Sequence, residues 1–548
     1  MKRLSALFLT LLLIFSLAAP AFAAKLGTTG SQIPLVLLGG DGDTLYDKDG
    51  NYLFQIDDIG HLVDGSDKRE LLRSVANVVQ PFLLQGLLLN QWEPYYEALE
   101  KELGELTKEV RLDENGNVSN GSDISKEHRQ TVQNDMATDK KGKKGYYGFQ
   151  DYHFWYDWRL DPMEVADELN EYIESIRSVT GAGKVALVGR CVGCNVILAY
   201  IAKYGDDAVY GFGLDGTSSN GGEFISEAIS GKFRLDGPAI ERFLIDYDEL
   251  GMFQVSDFVL ATMDLLVKSG ALERLDAVTR ATIYDKVVKG VTSALSTSTF
   301  FTMPCYWGFV RAEDYDNAIE YVFGPEGSEK RLKYAGLIEK LDRYHTEVVE
   351  KLPDLMQGLA ESGSNLAIIS KYGFQIVPTC ESTDAVADQY ASVKNSSFGA
   401  TTSTIYGTLP DDYIAAREAE GKGRYISPDR QVDASTCLFP DYTWFTKGAR
   451  HGNWTRTENE LMYTVTTADR QLTIDDFDLT QFMVYDSESK VMVPMTAENC
   501  HTEYWTADEE IDHPQSFLQK LKNYFSALRV WFQQLILVLK EKASKSAD

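Results

Sequence analysis

The chain has 548 residues and the composition of an ordinary globular protein, with 44% hydrophobic and 25% charged residues. This length allows one large core or several domains. The formal net charge of −29 argues against nucleic acid as a partner, because binding to phosphates requires clustered Lys and Arg. Six cysteines are too few for a disulfide scaffold, although a bridge among Cys305, Cys380, Cys437 and Cys500 stays open.

The N-terminal residues have the pattern of a secretory signal peptide. Met1-Lys2-Arg3 is basic, Leu4 to Leu17 is apolar, and Ala21-Phe22-Ala23 is a small-x-small cleavage pattern. No later stretch reaches about 18 uninterrupted apolar residues, so no membrane-spanning helix is predicted. We therefore expect residues 1–24 to be removed and the mature chain to be secreted or exposed at the cell surface; a retained N-terminal anchor is the alternative.

The next elements alternate between strands and helices. An apolar strand from Ile33 to Leu38 enters the loop Gly39-Gly40-Asp41-Gly42-Asp43, whose glycines free backbone N–H groups to bind an anion or simply form a turn. A helical stretch is predicted from about Lys68 to Lys108. The aromatic run from Tyr152 predicts a strand, and Asp161-Pro162 predicts the start of a helix over 163–178. This alternation indicates a parallel sheet with right-handed crossovers.

The most informative stretch is 184–200. Val185 to Val188 is a β-branched apolar run and Asn195 to Tyr200 is helix-like, so the turn between them, Gly189-Arg190-Cys191-Val192-Gly193, fits a nucleophile elbow with cysteine at its centre. Cys194 makes a C-x-x-C pair with Cys191. A thioredoxin-like redox pair or two packed core cysteines are therefore alternative interpretations.

Tyr156-Asp157-Trp158-Arg159, about thirty residues before this elbow, together with the early Gly-Gly turn, resembles the lecithin:cholesterol acyltransferase-like group of α/β-hydrolases. The resemblance covers Ile33 to about Thr217 and Asn365 to His451. It implies an α/β-hydrolase fold with an oxyanion hole formed by the N–H groups of Asp41 and Val192. That group normally carries serine at the elbow, and Cys191 is instead similar to the cysteine elbows of polyhydroxyalkanoate synthases and dienelactone hydrolases.

After a strand predicted at Ala208 to Leu214, the β pattern stops. Residues 223–363 are almost wholly helical in periodicity. An insertion of this size between sheet strands is interpreted as a cap over the nucleophile that excludes water and defines an apolar acyl site. A separate helical interaction domain is the alternative.

The strand pattern returns at Asn365 to Ser370 and at Tyr442 to Phe445. Asp429-Arg-Gln-Val432 resembles the acid-bearing stretch of the same group, and His451 follows one strand later. The resulting order, Cys191, Asp429, His451, is the nucleophile–acid–base order of α/β-hydrolases. Asp433 is the second choice for the acid and Asp384 the third. His153 and His345 have no motif to support them.

The C-terminal residues 514–542 predict an amphipathic basic helix that lies on a membrane or packs on the protein. The predicted organisation is a signal peptide (1–24), a hydrolase core in two parts (25–222 and 364–505), a cap (223–363) and this helix (506–548). The predicted function is a lipase, esterase or acyltransferase for lipid-like esters that needs no metal or cofactor. The alternative is a catalytically weak protein that binds a lipid or cell-wall component.

Overall fold

The computed structural model places the following parts of the chain: residues 33–40, 42–54, 77–128, 151–232, 239, 243, 257–269, 282, 284–297, 299–376, 380–405, 407–449, 451–452, 454–477, 480–500 and 517–545. The predicted signal peptide and Asp41 lie outside these described residues. Within them, no disulfide joins the six cysteines. None of the described helices has the length and apolar character that crossing a bilayer requires.

A large, mostly parallel sheet organises the fold. The strands in chain order are β1 (Leu35–Leu38), β2 (Leu45–Tyr46), β3 (Tyr52–Phe54), β4 (Asp123–Ile124), β5 (Asp151–His153), β6 (Val185–Arg190), β7 (Val209–Asp215), β8 (Asn365–Tyr372), β9 (Thr401–Thr402), β10 (Val432–Asp433), β11 (Thr443–Lys447), β12 (Phe482–Asp486) and β13 (Val491–Pro494). Eight of them form one sheet in the order β13-β12-β11-β8-β7-β6-β1-β5. All neighbours in this sheet are parallel except β12 and β13, which confirms the predicted α/β class.

Both faces of this sheet are covered. Leu187 and Val188 are neighbours in β6, and they point into different apolar clusters, as alternate residues of a strand must. Leu366 and Ala367 in β8 divide in the same way. Burial on both faces explains why these strands are continuous apolar runs in the sequence and do not alternate with polar residues.

The helices fill the connections between strands. They are α1 (Glu93–Thr107), α2 (Pro162–Thr180), α3 (Val192–Tyr204), α4 (Glu223–Ile229), α5 (Asp257–Lys268), α6 (Tyr284–Thr297), α7 (Pro304–Trp307), α8 (Tyr315–Phe323), α9 (Glu329–Lys333), α10 (Ala335–Tyr344), α11 (Leu352–Ser362), α12 (Val393–Ser396), α13 (Asp411–Ala419), α14 (Arg456–Thr466) and α15 (Phe517–Lys545). Short π-helical segments occur at Phe82–Leu87 and His345–Val349. The described part of the predicted 68–108 helix is thus interrupted between its π segment and α1.

Helix α2 shows how sequence sets its bounds. The Asp161 carboxylate accepts a hydrogen bond from the Met163 N–H at 2.9 Å, Pro162 occupies the first helical position, and Gly181 ends the helix at φ 72°. The helix begins and ends within two residues of the predicted 163–178.

The chain divides into two compact units. The described residues of Met1–Lys232, Lys289–Ile376 and Asp384–Cys500 form the first, and those of Phe233–Val288, Val377–Thr383 and His501–Asp548 form the second. The segment predicted as a single insertion therefore contributes to both units. Within the first unit, buried residues such as Met303, Tyr306 and Leu352 share one apolar core with β6 and α3.

Candidate active site

Cys191 lies in a sharp turn between β6 and α3. Its backbone has φ 45° and ψ −118°, a conformation that side-chain-bearing residues rarely adopt. Val192 is the first residue of α3, so the Cys191 side chain stands at the carboxyl edge of the sheet beside a helix N-terminus. This is the geometry of a nucleophile elbow.

Two glycines make this turn possible. A Cβ on Gly189 would lie 2.7 Å from Ile197 Cδ1, and a Cβ on Gly193 would lie 2.6 Å from the carbonyl oxygen of Leu38. Both contacts are closer than real side chains tolerate. The glycines thus allow α3 to pack directly against β6 and β1, which explains their spacing on either side of Cys191.

His451 connects Cys191 to a buried carboxylate. The Nδ1 of His451 lies 2.6 Å from Oδ2 of Asp388, and the charge of Cys191 acts on the same imidazole. The Asp388 side chain is 0% exposed and that of His451 is 11% exposed. Burial opposes protonation of the imidazole, but the charges of Asp388 and Cys191 and the hydrogen bond that Asp388 accepts raise the pKa of His451 well above its usual value.

The loop that carries Asp388 holds this carboxylate in a fixed orientation. Oδ1 of Asp388 accepts hydrogen bonds from the backbone N–H groups of Tyr390 at 3.1 Å and Ala391 at 3.0 Å. Gln389 has φ 93°, which bends the chain sharply after the acid. The carboxylate therefore points Oδ2 at His451 while its other oxygen is held by the loop itself.

A second buried carboxylate supports this loop from outside. Oε2 of Glu223, in the first turn of α4, accepts the Ser392 N–H at 2.7 Å, and Oε1 accepts the Asn395 amide at 2.8 Å. Burial raises the pKa of Glu223, although the hydrogen bonds with Ser392 act in the opposite direction. The start of the inserted segment is thus bonded directly to the segment that follows Asp388.

The expectation that Asp429 pairs with His451 is wrong. Asp429 Oδ2 instead accepts hydrogen bonds from Lys447 Nζ at 2.9 Å and from the Tyr372 hydroxyl at 3.0 Å. A buried carboxylate needs a cation or several donors, and Lys447 already meets that need. The stretch 429–432, which resembles an acid loop, therefore carries a structural ion pair between Asp429 and Lys447.

The other two candidate acids are also placed elsewhere. Asp433 is buried and accepts hydrogen bonds from the Tyr413 hydroxyl and the Ser435 N–H, both at 2.8 Å. Asp384 is exposed. Sequence reasoning missed Asp388, which lies between β8 and β11 like the other three, so chain order could not separate them. Its one local sign is the apolar run Ala385-Val386-Ala387 that precedes it.

The expected oxyanion hole is described in part. Val192 supplies an N–H at the start of α3, while Asp41 lies outside the described residues. Gly40 approaches the nucleophile so closely that a Cβ there would lie 2.7 Å from Cys191 Cβ. The Tyr156 hydroxyl fixes this loop by donating to the Gly39 carbonyl at 2.5 Å. Through Tyr156, the aromatic motif at 156–159 thus holds the loop that lies beside Cys191.

Aromatic side chains border the catalytic row. The Tyr390 ring lies 4.9 Å from the His451 ring, at an interplanar angle of 60°. Tyr306, in α7 of the inserted segment, is buried, and burial together with the charges of Cys305, Cys191 and Tyr390 raises its pKa well above the usual value. Part of the insertion therefore lies close to the nucleophile, as a cap would.

A buried ionic cluster lies beneath the His451 loop. The Lys371 side chain is 0% exposed, and its Nζ lies 3.2 Å from Oδ1 of Asp215 and 3.8 Å from Oε1 of Glu458. The same Nζ donates to the His451 carbonyl at 3.5 Å. Burial raises the pKa of Asp215 to about 6, against the effect of Lys371. Asp215 and Lys371 stand at the carboxyl ends of β7 and β8, Glu458 lies in α14, and Lys371 supports the backbone of His451.

Cys194 is placed differently from Cys191. It lies in the first turn of α3, is fully buried, and directs its sulfur at the Asp215 carbonyl, 3.9 Å away. Burial, followed by the charges of Cys191 and Asp215, raises the pKa of Cys194 well above the usual value. The histidines without a supporting motif make aromatic contacts. The ring of His153 stacks with Trp155, and the ring of His345, which lies in the π segment, stacks with Tyr315.

The strand order, the elbow after β6 and the histidine after β11 together define an α/β-hydrolase fold. No family model and no curated protein sequence matches the chain. The crystal structure of the Tle4–Tli4 complex is similar to it, with 14% identity and a TM-score of 0.25, over 62% of this chain and 75% of that one. A similarity at this score carries no weight, so the fold assignment rests on the sheet and the turn at Cys191.

Proposed function

We propose that this protein is a carboxylic ester hydrolase or acyltransferase that acts on lipid-like esters through Cys191, His451 and Asp388. The observation that carries the proposal is the row formed by these three side chains. A cysteine in a strained elbow acts electrostatically on a histidine, and that histidine is hydrogen-bonded to a fully buried carboxylate. Nucleophile, base and orienting acid are the three parts of a catalytic triad.

In this mechanism Asp388 fixes the imidazole and stabilises its protonated form. His451 takes the proton of Cys191 as a general base, which produces the thiolate, the nucleophilic form of cysteine. The thiolate attacks the ester carbonyl carbon and forms a C–S bond, while the Val192 N–H donates to the developing oxyanion. The C–O bond then breaks, and the leaving alkoxide takes the proton from His451. Neutral His451 next deprotonates water or an alcohol, which releases the acyl group from the thioester.

The surroundings of the row favour an apolar acyl group. Tyr306 and Tyr390 border it, and neighbouring residues of the insertion, Met303 and Phe309, belong to the buried apolar cluster of the first unit. Aromatic and aliphatic walls with a few placed polar groups are typical of sites for apolar ligands. A charged acyl group would lose its hydration there without a partner.

Mass spectrometry after a short pulse of activated ester tests this proposal. Short- and long-chain p-nitrophenyl esters should leave an acyl adduct on Cys191, with the long chain preferred. Cys194→Ala is the matched control, since it removes the neighbouring thiol and keeps the elbow, and it should still acylate. An adduct on another residue would refute the assignment. No adduct on a correctly folded chain would favour the alternative, a protein that binds a lipid or cell-wall component without turning it over.

A further inference from the structure

One face of helix α15, in the second unit, packs on a neighbouring helix. It runs from Phe517 to Lys545 and contacts α5. The Trp531 indole N–H donates to the Thr262 hydroxyl at 3.1 Å, and Ala527 is 2% exposed. The helix therefore packs on the protein along one face, as predicted, and this packing covers only part of its surface. Contact with a membrane was the other prediction, and it concerns the remaining surface.

The opposite face carries large apolar side chains that are exposed. Leu521, Phe525, Phe532 and Ile536 have exposed fractions of 41, 58, 51 and 50%. At about 100° per residue, these four positions fall within an arc of about 60° and form one row along the helix. We call these four residues the apolar row. Such a continuous row is unusual on a protein surface and indicates a binding face.

The charges beside the apolar row are positive. Lys522 and Arg529 are exposed and project at about 80–100° from Leu521, next to the row. The helix also contains Lys520, Lys540, Lys542 and Lys545, against the single acidic residue Glu541. The chain as a whole has a net charge of −29, so this helix is a local reversal of sign.

We propose that the apolar row binds an anionic lipid surface, with α15 lying parallel to that surface. The row would enter the boundary between headgroups and acyl chains, while Lys522 and Arg529 contact headgroup phosphates. A second copy of this chain fits less well, because a symmetric contact through this face would bring the same cationic residues together. This inference concerns adsorption to the surface and does not depend on the ester chemistry proposed above.

Vesicle co-sedimentation of the full chain tests the lipid surface. Wild type should bind vesicles of mixed phosphatidylcholine and phosphatidylglycerol and bind pure phosphatidylcholine much more weakly. The double variant Phe525→Asn/Phe532→Asn should bind the mixed vesicles at least about tenfold more weakly. Lys522→Gln/Arg529→Gln should lose about fivefold per charge, and this loss should disappear at high salt.

The control is Tyr52→Asn/Leu332→Asn, which removes two side chains that are 50 and 68% exposed in the first unit. It should bind like wild type. Turnover of a soluble short-chain ester should be unchanged in all three double variants, which separates adsorption from chemistry. Equal binding of wild type and the Phe525→Asn/Phe532→Asn variant overturns the proposal. So does a lipid-independent dimer in light scattering that this variant converts to monomer, since the row would then be a contact between copies.

Discussion

The turn that carries Cys191 and the loop that carries Asp388 both act on His451, yet they are built in different ways. The turn is specified locally, by an apolar strand, two glycines and a helix that starts at Val192. The loop is held by partners far away in the chain, Glu223 on one side and His451 on the other. A short-range pattern therefore reveals the nucleophile but does not reveal the acid, which is identified only by what it contacts.

The largest expected effect is at the turn. Cys191→Ala should lower ester turnover by roughly 10⁴-fold or more and remove the acyl adduct, because no other nucleophile occupies the elbow. Cys191→Ser should keep only slight activity, because an alcohol is much harder to deprotonate than a thiol. Steady-state kinetics with p-nitrophenyl esters measures both. Full activity of Cys191→Ala would show that the elbow is not the reactive centre.

A comparison of two aspartates tests the loop. Asp388→Asn should reduce kcat by about 10³- to 10⁴-fold, because the amide would leave the imidazole in the wrong tautomer. Asp429→Asn should leave kcat within about tenfold of wild type, but it should lower the free energy of unfolding by about 3–5 kcal/mol, because Lys447 keeps a buried charge without its partner. Kinetics and urea unfolding separate the two. The reverse pattern would restore Asp429 as the acid.

Glu223 should have an intermediate effect, because it acts on the loop rather than on the substrate. Glu223→Ala leaves the Ser392 N–H and the Asn395 amide without these acceptors. We expect kcat to fall by about tenfold to a hundredfold, with KM little changed. The control is Glu227→Ala on the same helix, since Glu227 is equally buried and its carboxylate lies 3.6 Å from Arg311.

A positioning role predicts more than a loss of stability. Combined with Asp388→Asn, Glu223→Ala should cost almost nothing further in kcat, because the group that it positions is already disabled. If the two losses multiply, Glu223 affects the site by another route. Equal losses from Glu223→Ala and Glu227→Ala would indicate a general effect on folding.

The smallest effect concerns pH. Burial opposes protonation of His451, but the effects of Asp388 and Cys191 are larger. They raise the pKa of His451 in the folded protein above its value in the unfolded chain. The stabilisation is therefore complete below the ordinary histidine pKa of about 6.5 and is lost as pH rises through the folded-state pKa. The stability advantage of wild type over His451→Gln in urea unfolding should decrease with rising pH above about 6.5. An advantage that is constant or increases with pH would contradict a protonated His451.

The sheet and the turn could be predicted because their causes are short in sequence. Strands buried on both faces must be apolar throughout, and the elbow needs its glycines at fixed distances from the nucleophile. Val185 to Val188, Asn365 to Ser370 and the helix after Pro162 were therefore recognisable from composition and spacing alone. His451 followed from its position after the strand now observed at Thr443–Lys447.

The acid could not be predicted because several carboxylates satisfy the same order along the chain. What distinguishes Asp388 from Asp429 is the partner that each one meets in three dimensions, His451 in one case and Lys447 in the other. The side chains of both are 4% exposed or less, and each is paired with a side-chain nitrogen, so burial and charge also look alike. Only the approach of β8 to β11 and the placement of α4 decide between them.

The long excursion between β7 and β8 has a consequence for how the protein is made. The chain leaves β7 at Asp215 and returns to the neighbouring strand only at Asn365, and the strand before His451 begins at Thr443. Closing so long a loop adds little to the equilibrium cost, because that cost grows only with the logarithm of loop length. It does delay assembly, since contacts distant in sequence form late. During synthesis the nucleophile turn can therefore fold well before the base and acid are in place. Cys191 of a nascent chain cannot form an acyl-enzyme until the residues after β11 have emerged from the ribosome.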